Sequence, residues 1–232
     1  MDLKNALAAL KEKHVTLVAF GDSITENNHW TLGSKNWVQL LESNLYCIFP
    51  KHPIVINSGL SGDSLPACMN RLDREVLRFQ PDIVIVSFGT NDCVKKDPEG
   101  FRVMYREMLQ KILATGAIVV TRTPTPLINM ENGSIVNLQE TSPHCMLERY
   151  VEVIREVSAE LDVYCIDHYA YWMKSASTKY RGEMMMLMGN TIHPNGHGHR
   201  RLYYELAPHF GLQPFHQDDF EHILWCNDDY KV

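Results

Sequence analysis

The sequence predicts an α/β fold: a five-stranded parallel sheet in a three-layer α/β/α, flavodoxin-like arrangement. Three observations carry this. Short β-branched apolar blocks recur along the chain, a segment of helical periodicity follows each one, and the strongest blocks are too apolar to leave a face in water. That alternation produces a parallel sheet covered by helices on both sides, with right-handed crossovers.

The elements follow in order. Asp2 to Leu10 reads as a short amphipathic helix, and Val15 to Phe20 as a buried strand. Trp37 to Tyr46 places Trp37, Leu40, Leu41 and Leu45 on one helical face. Ile54 to Ile56 is a second strand, and Leu65 to Phe79 a helix with Leu65, Met69, Leu72, Val76 and Phe79 in register. Ile83 to Phe88 is the clearest strand. Glu99 to Thr115 is a helix closed by Gly116 at its C′ position, and Ala117 to Val120 is the fourth strand. Pro124, Pro126, Gly133 and Pro143 make Arg122 to Ser142 a long loop. Leu147 to Leu161 is a helix, Val163 to Ile166 the fifth strand, and Tyr169 to Ser175 and Gly196 to Phe210 the last helices. No repeat or linker interrupts the pattern. One domain is therefore expected over residues 1–232, with a core at 15–210 and a C-terminal extension at 211–232. Phe215, Phe220, Leu224 and Trp225 of that extension are expected to pack on their own domain; a subunit contact in a homo-oligomer is the alternative.

A chain of 232 residues buries roughly 70–75% of its unfolded surface and needs no disulfide or metal to hold its core. Its net charge of −6 comes from interspersed charges, without the basic footprint of a nucleic-acid binder or the basic patch of a membrane-surface protein. Its 6 cysteines are scattered without a C-x-x-C pair. Met1 to Lys13 lacks the pattern of a secretion signal, and no apolar run approaches the ~20 residues of a membrane span. A cytoplasmic protein with reduced thiols, binding neither nucleic acid nor membrane, is the expectation.

Ser23 carries the chemistry. It follows the first strand in Phe20-Gly21-Asp22-Ser23-Ile24-Thr25, at the sheet edge where ligands bind in open α/β folds. A tight turn there lifts a hydroxyl clear of the sheet. Three more polar segments stand at corresponding positions: Asn57 to Asp63 after the second strand, Gly89-Thr90-Asn91-Asp92 after the third, and Asn190 to Asn195 before the last helix. The fold brings all four to one edge.

Together these segments resemble the GDSL, or SGNH, hydrolase family of esterases and acylhydrolases, with a match that runs from about residue 15 to residue 200. Gly21-Asp22-Ser23-Ile24 fits the first block, with Ile in place of Leu; Gly62, Asn91 and His193 fall at the glycine, asparagine and histidine of the others. The resemblance is closest to the carbohydrate acetylesterases. It implies the SGNH hydrolase fold, no cofactor or metal, and a small-molecule or carbohydrate ester as substrate. Ser23 is then the nucleophile and His193 its base, with an oxyanion hole from the Ser23 N–H, the Gly62 N–H and the Asn91 amide. Imidazole suits the task because it titrates near working pH and returns its proton to the leaving alcohol. Pro194 fits the first turn of a helix and would fix His193 at its entrance.

One position departs from the family. Three residues before His193 the family has Asp, and this chain has Asn190. An Asn carbonyl can accept the imidazole Nδ1–H but brings no charge; its NH₂ facing the ring would favour the wrong tautomer. A Ser-His-Asn triad, a dyad supported by a backbone carbonyl, and a weakened or inert binding protein all remain open. Glu183 is an alternative acid in the same region.

Other groups have plainer readings. Asp22 and Asp92 are acids in turns, which usually accept backbone amides. Gly59-Leu60-Ser61-Gly62 begins like a Gly-x-Ser-x-Gly elbow, but Asp63 breaks it. His193, His197 and His199 suggest a metal-assisted hydrolase, yet the Glu of His-Glu-x-x-His is missing and Pro194 interrupts the spacing. Met184 to Met188 suits either an acyl pocket or the core. Tyr169, Tyr171 and Trp172 suit either sugar stacking or the core.

Overall fold

The computed structural model describes residues 1–26, 28–177 and 181–213. The predicted packing of Phe215, Phe220, Leu224 and Trp225 lies outside the described residues.

Five parallel strands form the sheet: β1 (Thr16–Gly21), β2 (Ile54–Gly59), β3 (Ile83–Ser87), β4 (Ile118–Arg122) and β5 (Tyr164–Ile166). They lie in the order β2-β1-β3-β4-β5, the flavodoxin-like order with its switch point between β1 and β3. Register aligns Gly21 with both Gly59 and Ser87. The chain therefore leaves β1, β2 and β3 side by side.

Strand periodicity builds the layers. Leu17, Ala19, Ile83 and Ile85 face one core, with α1 (Leu3–Ala8), α2 (Trp37–Leu45), α7 (His168–Ala176) and α8 (Gly196–Leu206) packed against it. Val18, Phe20, Val84 and Val86 face the other, covered by α3 (Leu65–Met69), α4 (Leu72–Glu75), α5 (Pro98–Leu113) and α6 (Leu147–Glu160). Both faces of the central strands are dry, as their composition requires. Gly116 takes the expected left-handed conformation, φ +85, but one position later than C′, because α5 ends at Leu113 with Ala114 as its C-cap.

Two further expectations need correction. The helix expected over Leu65 to Phe79 is broken into α3, α4 and a 3-10 turn at Leu77–Phe79. Arg71, between α3 and α4, turns its guanidinium into the protein, where it meets Asp63, Ser58 O and Gly21 O; a continuous helix would carry this side chain away from them. The last helix stops at Leu206, and a 3-10 turn with Pro208 in its first positions follows. The expected loop after β4 runs through the protein, with residues 122–128 buried. Its backbone is satisfied internally: the Leu127 N–H donates to Asn137 Oδ1 at 2.9 Å and the Ile128 N–H to Thr191 O at 3.0 Å. The second bond ties this loop to the segment that carries His193.

Candidate active site

The turn after β1 is fixed from three directions. The Thr25 and Glu26 N–H groups both donate to Asp22 O at 3.0 Å, closing the turn around Ser23. A Cβ on Gly21 would stand 2.2 Å from Thr25 Oγ1 and 2.8 Å from Ser87 O, so only glycine lets the strand end so tightly. The start of α2 supports the turn from below. Asn36, N-cap of α2 in a capping box with Gln39, also donates from Nδ2 to Thr25 O at 2.9 Å, and Trp37 Nε1 donates to Ile24 O at 3.0 Å.

Ser23 Oγ lies 2.9 Å from His193 Nε2, within the range for proton transfer. On the other side of the ring, His193 Nδ1 lies 3.2 Å from Asn190 Oδ1. That oxygen also accepts the Ile192 N–H at 2.8 Å and the His193 N–H at 2.7 Å. Backbone N–H groups only donate, so the atom they meet is the carbonyl oxygen and the NH₂ points away from the ring. Nδ1 therefore carries the proton, and Nε2 is left to accept from the Ser23 hydroxyl. Both ring nitrogens are engaged, which leaves Glu183, in the 3-10 segment Arg181–Leu187, no ring nitrogen to hold. Asn195, N-cap of α8, accepts from the His197 and Gly198 N–H groups and sets the helix entrance just past His193. Burial, with a further contribution from His29, pushes the His193 pKa below its ordinary value.

The expected oxyanion donors stand on the neighbouring turns. Among the described residues, the Ser23 and Gly62 N–H groups have no protein acceptor. Gly62 has φ +76 and open space around its Cβ position. Glycine is thus required there by backbone conformation, and no protein neighbour crowds that position. Asn91 Nδ2 donates to Asp63 O at 2.8 Å, which orients the amide and leaves its second N–H available.

The acids serve the turns. Asp22 Oδ1 accepts the Ile24 N–H at 3.0 Å; Asp92 accepts the Leu65 N–H at 2.8 Å and the Gly89 N–H at 3.2 Å. Burial raises Asp22 to about 7 and Asp92 to about 6, against the pull of those N–H donors. Asp63 pairs with Arg71, whose Nε lies 2.7 Å from Oδ2 and whose guanidinium stands 4.6 Å from the Phe20 ring centroid.

The histidines diverge. His193 meets Ser23, His197 is exposed, and His199 is buried with its Nδ1 accepting the Trp37 N–H at 3.4 Å. Among the described residues no three His, Cys, Asp or Glu side chains are placed to hold a metal ion. Of the methionine run, Met184 and Met188 fill the core and Met186 is exposed. Tyr169 and Trp172 are buried, the indole N–H donating to Glu205 at 3.1 Å, and Tyr171 bonds His209; these rings belong to the core.

Two residues of the site were not anticipated. Asn28 Nδ2 donates to Ser23 O at 2.7 Å, and the Trp30 ring stacks on His193 with centroids 5.2 Å apart and planes 6° from parallel. Their only sequence signal is proximity to the nucleophile turn.

Comparison with known proteins agrees with this geometry. Residues 19–201 match the GDSL-like Lipase/Acylhydrolase family. The chain is 24% identical over 211 residues to an acetylxylan esterase of Geobacillus stearothermophilus, covering 85% of this chain and 94% of that protein. It is 23% identical over 205 residues to the uncharacterized lipoprotein YqeF of Bacillus subtilis (strain 168), covering 78% and 81%. The crystal structure of Axe2, an acetylxylan esterase from Geobacillus stearothermophilus, superposes with a TM-score of 0.71 at 18% identity, covering 89% of this chain and 99% of that one. With its parallel sheet, its motif order and a family match spanning most of its length, the chain belongs to the GDSL-like lipase/acylhydrolase family and is a carboxylic ester hydrolase.

Proposed function

We propose that the protein cleaves short acyl esters, acetyl above all, from carbohydrates, through an acyl-enzyme on Ser23. The single observation that carries the catalytic assignment is the 2.9 Å contact between Ser23 Oγ and His193 Nε2, with Asn190 Oδ1 on the opposite ring nitrogen. His193 takes the serine proton as Oγ attacks the ester carbonyl. The oxyanion is met by the Ser23 and Gly62 N–H groups and the Asn91 amide. Collapse expels the alcohol, which receives the proton from His193; water then repeats the sequence and releases the acid. Similarity to an acetylxylan esterase supports the acetyl-carbohydrate preference.

The test combines a fluorophosphonate probe with two substrate panels: acetylated xylo-oligosaccharides, and p-nitrophenyl esters of increasing chain length, each assayed with and without chelator. Ser23→Ala should abolish labelling and lower turnover by at least about 10⁴-fold. Turnover should fall as the acyl chain lengthens and be indifferent to chelator. Labelling that survives Ser23→Ala removes the nucleophile assignment, and a preference for long acyl chains removes the substrate assignment.

A further inference from the structure

Asn190 poses a physical problem. A neutral amide holds an imidazole less firmly than a carboxylate does, and its oxygen is shared with two backbone N–H groups at shorter distance than the ring. A second restraint on His193 is nevertheless present. Trp30 lies against the ring with centroids 5.2 Å apart and its plane nearly parallel to it, an arrangement that opposes rotation of the imidazole out of line with Ser23.

The backbone that carries the indole is itself anchored to the nucleophile turn. Asn28 donates from Nδ2 to Ser23 O at 2.7 Å, while its Oδ1 accepts the Trp30 backbone N–H at 3.1 Å. The four residues close a ring of contacts: Ser23 to Asn28, Asn28 to Trp30, Trp30 to His193, and His193 back to Ser23. The base loop leaves room for this. A Cβ on Gly189 would come within 3.2 Å of Trp30 O and 3.4 Å of its Cβ and Cε3, so the absent side chain lets the tryptophan sit against the loop. Gly189 is braced in turn by its N–H bond to His193 O at 2.8 Å.

We propose that Trp30 is a positioning residue for His193, its stacked indole supplying the restraint on the imidazole that a carboxylate at position 190 would otherwise supply. The proposal deepens the catalytic reading above and rests on it. The indole also keeps water from one face of the ring. Among the described residues the titratable neighbours of that ring are His29 and His199 and include no carboxylate, so removal of the indole moves the base toward the ordinary pKa of histidine.

The experiment compares Trp30→Ala, Trp30→Leu and Trp30→Phe, alone and in an Asn190→Asp background, on p-nitrophenyl acetate from about pH 5 to pH 9. Ala and Leu should lower kcat by about 10- to 100-fold, part of the roughly 10²–10⁴-fold that general acid–base catalysis supplies. KM should stay within about threefold, and the acid limb of the pH profile should move to higher pH. Phe, which keeps a ring face, should recover most of the rate. In the Asn190→Asp background the loss from Trp30→Ala should shrink at least about fivefold, the non-additivity expected of two restraints on one ring. Leu and Phe decide the matter if the Ala variant fails to fold. The proposal is overturned if Leu and Phe behave alike, if the acid limb stays in place, or if the loss is the same with Asp at position 190. Activity that survives Ser23→Ala would instead sink the catalytic reading, and is seen in a separate measurement.

Discussion

Two sides of Ser23 are held by opposite kinds of force. On the turn side, Asp22, Asp63 and Asp92 are all buried and accept backbone N–H groups or meet the buried Arg71. On the base side, His193 is held by an amide oxygen, a serine hydroxyl and an indole face, none of them charged. The turn side needs rigid backbone, and carboxylates are strong acceptors for orphaned N–H groups. The base side needs an imidazole that stays neutral until it takes a proton, and neutral partners keep it so. At the Asp63–Arg71 pair charge thus serves to fix the chain, and around His193 its absence serves to keep the base available.

The largest effect should come from breaking the charged side. Arg71 donates to Asp63, to Ser58 O at 2.8 Å and to Gly21 O at 3.0 Å, and the Arg71 and Asp63 side chains are both nearly inaccessible. Arg71→Ala leaves a buried carboxylate without its cation and takes one donor each from Ser58 O and Gly21 O, the latter keeping only the Leu60 N–H at 3.0 Å. Loss of one partner of a buried pair costs about 3–5 kcal/mol, so urea unfolding at neutral pH should show a loss of that order. A loss below about 1 kcal/mol, the worth of an exposed pair, would erase the contrast between the two sides.

The next effect sharpens the contrast through pH. Asp22 is raised by burial from 3.8 to about 7. Between those values the folded protein keeps a proton that the unfolded chain has released, so this group makes stability fall as pH rises through the window. The buried histidines act in the opposite sense. Burial lowers His168 to about 4 and His199 to about 3; from there up to the ordinary histidine value, the unfolded chain binds protons the folded protein refuses, and stability rises with pH. Asp22→Asn keeps an acceptor for the Ile24 N–H but removes the falling contribution. The variant's stability should therefore climb more steeply than the parent's between about pH 4 and pH 7, at about 1.4 kcal/mol for each unit of pKa shift removed. Parallel curves from urea titrations across that range would show that Asp22 carries no such burden.

How far all this is visible in the chain depends on the kind of signal. The five strands announce themselves because a parallel sheet buried on both faces needs runs such as Ile83 to Val86, apolar at every position. Ser23, Gly62, Asn91 and His193 are visible because each sits in a short block at a strand end or a helix entrance. What stays hidden depends on contacts between distant segments. Arg71 reads as a solvent-facing charge within a helical pattern, and only Asp63 and the ends of β1 and β2, brought together by the fold, turn it inward and break the helix. Trp30 lies in a polar stretch that forms a single 3-10 turn, His29–Thr31, too short to have a period; its partner is 163 positions away. The burial of the loop after β4 is hidden for a related reason: its prolines mark it correctly as irregular, but its burial depends on side-chain and backbone partners at Asn137 and Thr191.

The smallest effect, and the finest probe of the neutral side, is Asn190→Asp. Asn190 Oδ1 stands 2.7–2.8 Å from two backbone N–H groups but 3.2 Å from the ring, so the amide acts first as a cap for its own loop and second as a partner for His193. A carboxylate has two oxygens and can keep the backbone bonds with one while offering the other to Nδ1–H. Its charge favours the imidazolium that forms during attack, so kcat on p-nitrophenyl acetate should rise severalfold, well short of the roughly 10⁴-fold lost when serine proteases exchange Asp for Asn, because here the amide oxygen already faces the ring and the tautomer is already correct. The same charge raises the pKa of His193, so the acid limb of the pH profile should move up together with the rate. A flat rate with an unmoved limb would mean that the new carboxylate is spent entirely on the backbone. In that case the imidazole owes its orientation to Trp30 and Ser23, and the loop from Gly189 to His193 exists to carry the ring without touching its charge.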